Sequence, residues 1–149
     1  MHRTLPLRGD FRFWTDEKLR NADTDQFRHI NNAAIATFFE AARMEIFAPH
    51  EIRALMGGAN LAVVRLLIEF SAELHFPGCV RIGSTVVEVG HTSLKVRQGL
   101  FGGIDDRCYS TAAAICVLVH AETGRPCPIA PELRAHLLTD PTSGTETFV

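Results

Sequence analysis

The chain has 149 residues, 46% of them apolar and 21% charged, and carries a formal net charge of −2. That length suits one domain able to bury roughly two thirds of its unfolded surface, and the composition excludes a disordered or low-complexity chain. The near-neutral balance leaves no footprint for nucleic acid or an anionic membrane, and the longest apolar run, residues 112–119, falls well short of the ~20 residues that span a bilayer.

Residues 1–10 contain Arg3 and Arg8 but no apolar stretch of the kind a secretory leader needs, so a cytoplasmic protein is expected. Residues 11–19 alternate, with Phe11, Phe13 and Leu19 on one side, and predict a first strand. A polar stretch over 21–32 reads as a loop. The period then changes: Ile35, Phe38, Phe39, Ala42 and Ile46 recur every three or four residues and mark one apolar helix face. Asn31 or Asn32 suits the N-cap, Pro49 stops the helix, and Glu40 and Arg43 are spaced to pair on its surface. Residues 50–56 read as a short helical piece before Gly57-Gly58.

Strands dominate from 60 to 120. Val64, Leu66, Ile68, Phe70, Ala72 and Leu74 alternate with Arg65, Glu69, Ser71 and Glu73, giving one dry and one polar face. Pro77-Gly78 makes a turn into a third strand over 79–89, whose faces are poorly sorted. Leu94, Val96 and Leu100 alternate in a fourth, and a glycine-rich hairpin loop leads to a fifth, 109–119, apolar on both faces as a central strand should be. In it Ala112, Ala114 and Cys116 are small enough to let a helix approach closely. A last short helix covers 132–138, and the polar tail, 139–149, is expected to fray. Strand, helix, then four strands joined by short turns make one α+β domain over 1–149: a long helix against a curved five-stranded antiparallel sheet.

The four cysteines, Cys79, Cys108, Cys116 and Cys127, show no C-x-x-C spacing. They are expected to be reduced and buried, with Cys108 and Cys116 on one face of a strand ~26 Å apart. His2, His50, His91, His120 and His136 are scattered, and no zinc, dinucleotide, P-loop or serine-elbow motif appears, so neither a metal nor a cofactor is expected.

The loop before the helix is where chemistry concentrates. Asp23, Asp25, His29, Asn31 and Asn32 stand within ten residues, just ahead of an apolar helix whose first amides and positive dipole end can stabilise charge developing on a carbonyl oxygen. A nearby carboxylate could attack that carbonyl or deprotonate water. Asx turns and capping would use the same residues without chemistry. Phe27, Ile35, Phe38 and Phe39 suggest an apolar pocket near the helix start.

Taken together, Asp23-x-Asp25-x-x-x-His29-x-Asn31-Asn32 and the Phe38-Phe39-Glu40-x-x-Arg43 helix resemble the 4-hydroxybenzoyl-CoA thioesterase branch of the hotdog-fold acyl-CoA thioesterases. The resemblance implies a hotdog fold, with a long central helix wrapped by the sheet, and hydrolysis of an acyl-CoA to a free acid and coenzyme A. It implies Asp25 as the catalytic carboxylate and the backbone N–H of Asn32 as the group that polarises the thioester carbonyl. His29 and Asn31 would shape the loop and hold water, and Asn31 with Phe27, Ile35 and Phe39 is expected to contact the substrate. Coenzyme A would enter only as part of the substrate; Arg65, Arg81, Lys95, Arg97 and Arg107 could include residues that hold its phosphates, while each of them also suits a solvated strand face. It further implies a homodimer or homotetramer with the site between subunits. Many members have Gly where Arg28 stands and Tyr where Ile35 stands, which predicts a differently shaped loop and a changed acyl pocket. A non-catalytic acyl-CoA-binding hotdog is the competing function. His75-Phe76-Pro77-Gly78 copies the start of the hotdog dehydratase signature, but it follows the helix instead of approaching it, and its second proline-glycine pair is missing.

Overall fold

The computed structural model describes residues 4–138, so the tail expected to fray over 139–149 lies outside the described residues. The apolar period of residues 35–46 becomes helix α1, Asn32–Ile46, which opens where Asn31, in extended backbone, accepts the Ala33 N–H on its side-chain oxygen at 2.8 Å. Ile35, Phe38, Phe39, Ala42 and Ile46 are all buried, each large side chain among them contributing roughly 1.5–3 kcal/mol by leaving water. A short α2, His50–Leu55, starts directly after Pro49, and α3 covers Pro131–Leu137.

The strands are β1 (Phe13–Lys18), β2 (Asn60–Phe70), β3 (Cys79–Val89), β4 (Ser93–Gly102) and β5 (Cys108–Val119). They form one antiparallel sheet in the order β1-β3-β4-β5-β2. The long helix lies across β3, β1 and β4. On the neighbouring β5, Ala112, Ala114 and Cys116 are buried on the helix side, and their small side chains leave the room that close packing needs.

Several expectations are corrected here, and β-bulges account for some of the differences. Register slips between Val63 and Arg65, between Val86 and Glu88, and opposite Leu100 and Phe101, where Ser110 and Cys108 are the partners. Each extra residue reverses the inside–outside alternation beyond it. Hence β3 buries Val86 and Val89, three apart, and its faces look unsorted in sequence. For the same reason Cys108 packs with Phe11 and Phe101 on the outer face, while Cys116 faces the helix, so the two do not share a face. Cys108 and Cys116 are buried, and burial pushes both thiols up in pKa, but Cys79 is exposed.

Phe11 precedes β1 and departs from the side occupied by Phe13 and Leu19. Its ring lies over the facing glycines Gly83 and Gly99, where any Cβ would come within 2.7 Å and 2.9 Å of a phenylalanine carbon. Those glycines make the seat for Phe11. Nor does Arg43 pair with Glu40 at the surface. It is only 2% exposed and donates to the Gln98 side-chain oxygen at 3.1 Å. Gln98 in turn donates to the Phe39 carbonyl and the Ser84 hydroxyl, both at 2.9 Å, and burial lowers the guanidinium pKa. Strand β2 ends at Phe70, short of the expected Leu74. Its face is also wetter than the alternation implies, because it is an edge strand to one side of the helix: Val63, Val64, Leu66, Leu67 and Phe70 are exposed.

Candidate active site

The segment between β1 and α1 is held by its own polar groups. Asp23, buried, accepts from the Arg20 backbone N–H at 2.9 Å and from its guanidinium at 2.8 Å. The guanidinium holds the Asp23 carboxyl below its ordinary pKa. The Asp23 carbonyl also accepts the Asn31 N–H at 2.7 Å. Thr24 bridges to Ile30 and His29 to His75, with the Ile30 N–H donating to the Leu74 carbonyl at 2.7 Å. The loop is thus clamped between the helix start and the segment that follows β2.

Asp25 sits inside that clamp. One carboxylate oxygen, Oδ1, accepts the Phe27 N–H at 2.9 Å and the His29 N–H at 3.1 Å. The backbone closes a tight turn, with the Asp25 N–H donating to the His29 carbonyl and the Arg28 N–H donating to the Asp25 carbonyl. The other oxygen, Oδ2, receives no hydrogen bond among the described residues. One oxygen is anchored and the other is open.

Arg28 takes φ 66° within this turn. Arg28 therefore adopts the left-handed conformation suited to glycine, at a local strain of about 1 kcal/mol. Arg28→Gly is expected to raise the unfolding free energy by up to ~1 kcal/mol, and Arg28→Val, β-branched, to lower it by about 1–2 kcal/mol. Urea denaturation of the three proteins measures both; a stabilised valine variant would contradict the strain.

A cleft of about 300 Å³ opens beside Asp25. Asp25, His29, Asn32 and Ile35 line one wall, and Phe70, Glu73 and Leu74 belong to the other. Asn32 is the first residue of α1, and its backbone N–H has no acceptor among the described residues. Asp25 and the first residue of the helix thus line the same space, and a carboxylate beside a helix-terminal amide is the combination needed to activate a nucleophile and stabilise an oxyanion. His29 Nε2 lies 3.2 Å from Glu73 Oε2 across the mouth.

The other expected contacts fall elsewhere. Asn31 caps the helix through its side chain and lines a separate shallow pocket with Arg20 and Asp23. Phe39 is buried in the helix–sheet core, and Phe27 is 69% exposed and does not line the cleft. Phe70, Ser71 and Glu73 line it although the alternation placed them in a strand. The signal that could have found them is the break of that strand before Pro77, where the chain leaves the sheet to meet the loop. Among the basic residues, Arg81 pairs with Asp16 at 3.0 Å and Lys95 with Glu88 at 3.1 Å. Arg107 stacks over Tyr109, and Arg65 and Arg97 line a groove that the cleft does not share.

Residues 19–137 match the family model of the thioesterase-like superfamily. The chain belongs to that superfamily. Its fold is the hotdog of solved structures that share little sequence with it. A protein from Pseudomonas aeruginosa strain PAO1 superposes with a TM-score of 0.78 at 24% identity, covering 89% of this chain and 93% of its own. A DHNA-CoA thioesterase from Staphylococcus aureus gives 0.72 at 18% identity, covering 83% and 87%. A thioesterase from Thermus thermophilus, complexed with coenzyme A and zinc, gives 0.72 at 22% identity, covering 86% and 93%. No curated protein matches this superfamily member. Among its described residues no helix is long and apolar enough to cross a membrane.

Proposed function

We propose that this member of the thioesterase-like superfamily hydrolyses an acyl-CoA to a carboxylic acid and coenzyme A, with Asp25 as its catalytic carboxylate. The observation that carries the reading is the shared cleft at the start of α1: it is lined by Asp25, whose Oδ2 accepts no hydrogen bond among the described residues, and by Asn32, whose backbone N–H has no acceptor among them. Superfamily membership and the coenzyme A held by the Thermus neighbour support the substrate class.

Two routes fit the residues. As nucleophile, Asp25 Oδ2 bonds to the thioester carbon, the C–S bond breaks to release coenzyme A thiolate, and water hydrolyses the resulting anhydride. As general base, Oδ2 takes the proton of a water that attacks the same carbon, and the tetrahedral intermediate breaks its C–S bond to expel coenzyme A thiolate, which takes up that proton. In both, the Asn32 N–H binds the oxyanion. Ile35 supplies apolar wall for the acyl group and His29 borders the water. Release of free thiol from a panel of acyl-CoAs tests the reading. Saturable binding with no thiol released would instead establish the non-catalytic acyl-CoA binder.

The oligomer belongs to the same proposal. Edge strand β2 exposes Val63, Val64, Leu66, Leu67 and Phe70, and Phe70 also lines the cleft. A long apolar edge of this kind is a template for pairing, and a second copy seated on it would close the cleft from that side. Sedimentation velocity is expected to show a dimer or tetramer; a monomer at all concentrations would rule out a shared site.

A further inference from the structure

We infer that His29, Glu73 and His75 form a binding site for a divalent transition-metal ion of the zinc class. The expectation of no metal rested on spacing along the chain, whereas the proposed site is assembled by the fold. The β-bridge between His29 and His75 sets two histidines opposite one another on paired backbones, fastened by the Ile30 N–H to Leu74 carbonyl bond at 2.7 Å. Bridged residues carry their Cβ atoms about 4.5–5.5 Å apart, and here the two imidazole rings stand 5.0 Å apart at 85° to one another. Glu73 lies two residues before His75 and reaches the same spot. Its Oε2 is 3.2 Å from His29 Nε2 and 3.7 Å from His75 Nε2.

One donor atom from each of the three lies within 4.8 Å of those of the other two. A tetrahedral ion with bonds of about 2.0–2.1 Å needs its donors roughly 3.3 Å apart, so closing the site takes shifts of less than about 1 Å in side chains that are not packed in the core. Two imidazoles and one carboxylate are a donor set that zinc and its neighbours favour over magnesium or calcium. Three protein ligands leave the fourth position to water. The ion would tie the Asp25 loop to the segment after β2, and so fasten the two walls of the cleft. His75 of the histidine-phenylalanine-proline-glycine run thereby gains a role unrelated to dehydration. The site stands independently of the hydrolase reading.

Calorimetric titration of the metal-free full chain with Zn²⁺ tests it. One ion per chain is expected, with a melting temperature that rises on binding. His75→Ala and Glu73→Gln should each weaken binding at least 10-fold and abolish that rise. Co²⁺ loaded in place of zinc should show visible absorption without the charge-transfer band of a thiolate ligand. No saturable binding would overturn the proposal. So would affinity unchanged in both variants, or a thiolate band, which would place the ion on a cysteine such as the exposed Cys79.

Discussion

Asp25→Asn is expected to lower kcat/KM for the best acyl-CoA by about 10²–10⁴-fold, the range a positioned acid–base group supplies, while leaving the unfolding transition close to that of the parent. The two halves of the prediction follow from the two carboxylate oxygens. Oδ1 accepts the Phe27 and His29 amides, and an asparagine carbonyl can keep both bonds, so the turn holds. Oδ2 is the oxygen the proposed mechanism uses, and replacing it with an NH₂ group removes the lone pairs that would attack or take a proton. A purely structural Asp25, acting only as the anchor of an Asx turn, predicts the opposite pattern: turnover preserved in the asparagine variant and stability lost in Asp25→Ala. Thiol release and urea denaturation, measured on both variants, separate the two. Turnover within twofold of the parent in Asp25→Asn would end the proposal.

Asn32→Pro is expected to cost about 10²–10³ in kcat, equivalent to removing one oxyanion donor, again without unfolding the protein. The substitution is unusual in being both a backbone deletion and a mild one. Asn32 is the first residue of α1, where proline is favoured because the N–H has no partner within the helix. The preceding Asn31 already sits at φ −61° and ψ 140°, the extended conformation that proline demands of its neighbour. The Asn31 cap on Ala33 does not involve the deleted hydrogen. Asn32→Ala, which keeps the amide and loses the side chain, should retain most of the activity. If proline and alanine variants turn over equally, the oxyanion is held elsewhere.

Much of this was legible along the chain. The 3.6-residue period from Ile35 to Ile46, with an asparagine ahead of it and Pro49 behind, marks α1 because its buried face repeats on a local rule that no partner alters. The hairpin strands β3, β4 and β5 are bounded by their own glycine and proline turns to within two residues. The loop with Asp25 and Asn32 stood out because carboxylates and amides crowd a helix start beyond what capping uses. Ile35 lines the cleft, whereas Phe39, on the same helix face, lies in the core. A helix face carries no mark of which of its residues meets a cavity.

The failures share a cause. A bulge costs little locally and is set by the register of the partner strand, so the face of Cys108 and the order of β3 could not be read from either strand alone. Arg43 looks like a surface residue until Gln98, from a distant strand, supplies its buried acceptor. The same holds for the far wall of the cleft and for the grouping of His29 with Glu73 and His75, which depend on residues after β2 pairing with residues before α1.

The order of residues alone dictates the succession of elements, the long amphipathic helix, the antiparallel sheet and the carboxylate poised before the helix, because periodicity, turns and caps are short-range physics. Which side chains share the cleft, which arginine is buried, how far β2 stays uncovered and which histidines meet were chosen by the folded arrangement. Those are contacts between residues remote in the chain, and register and packing select them.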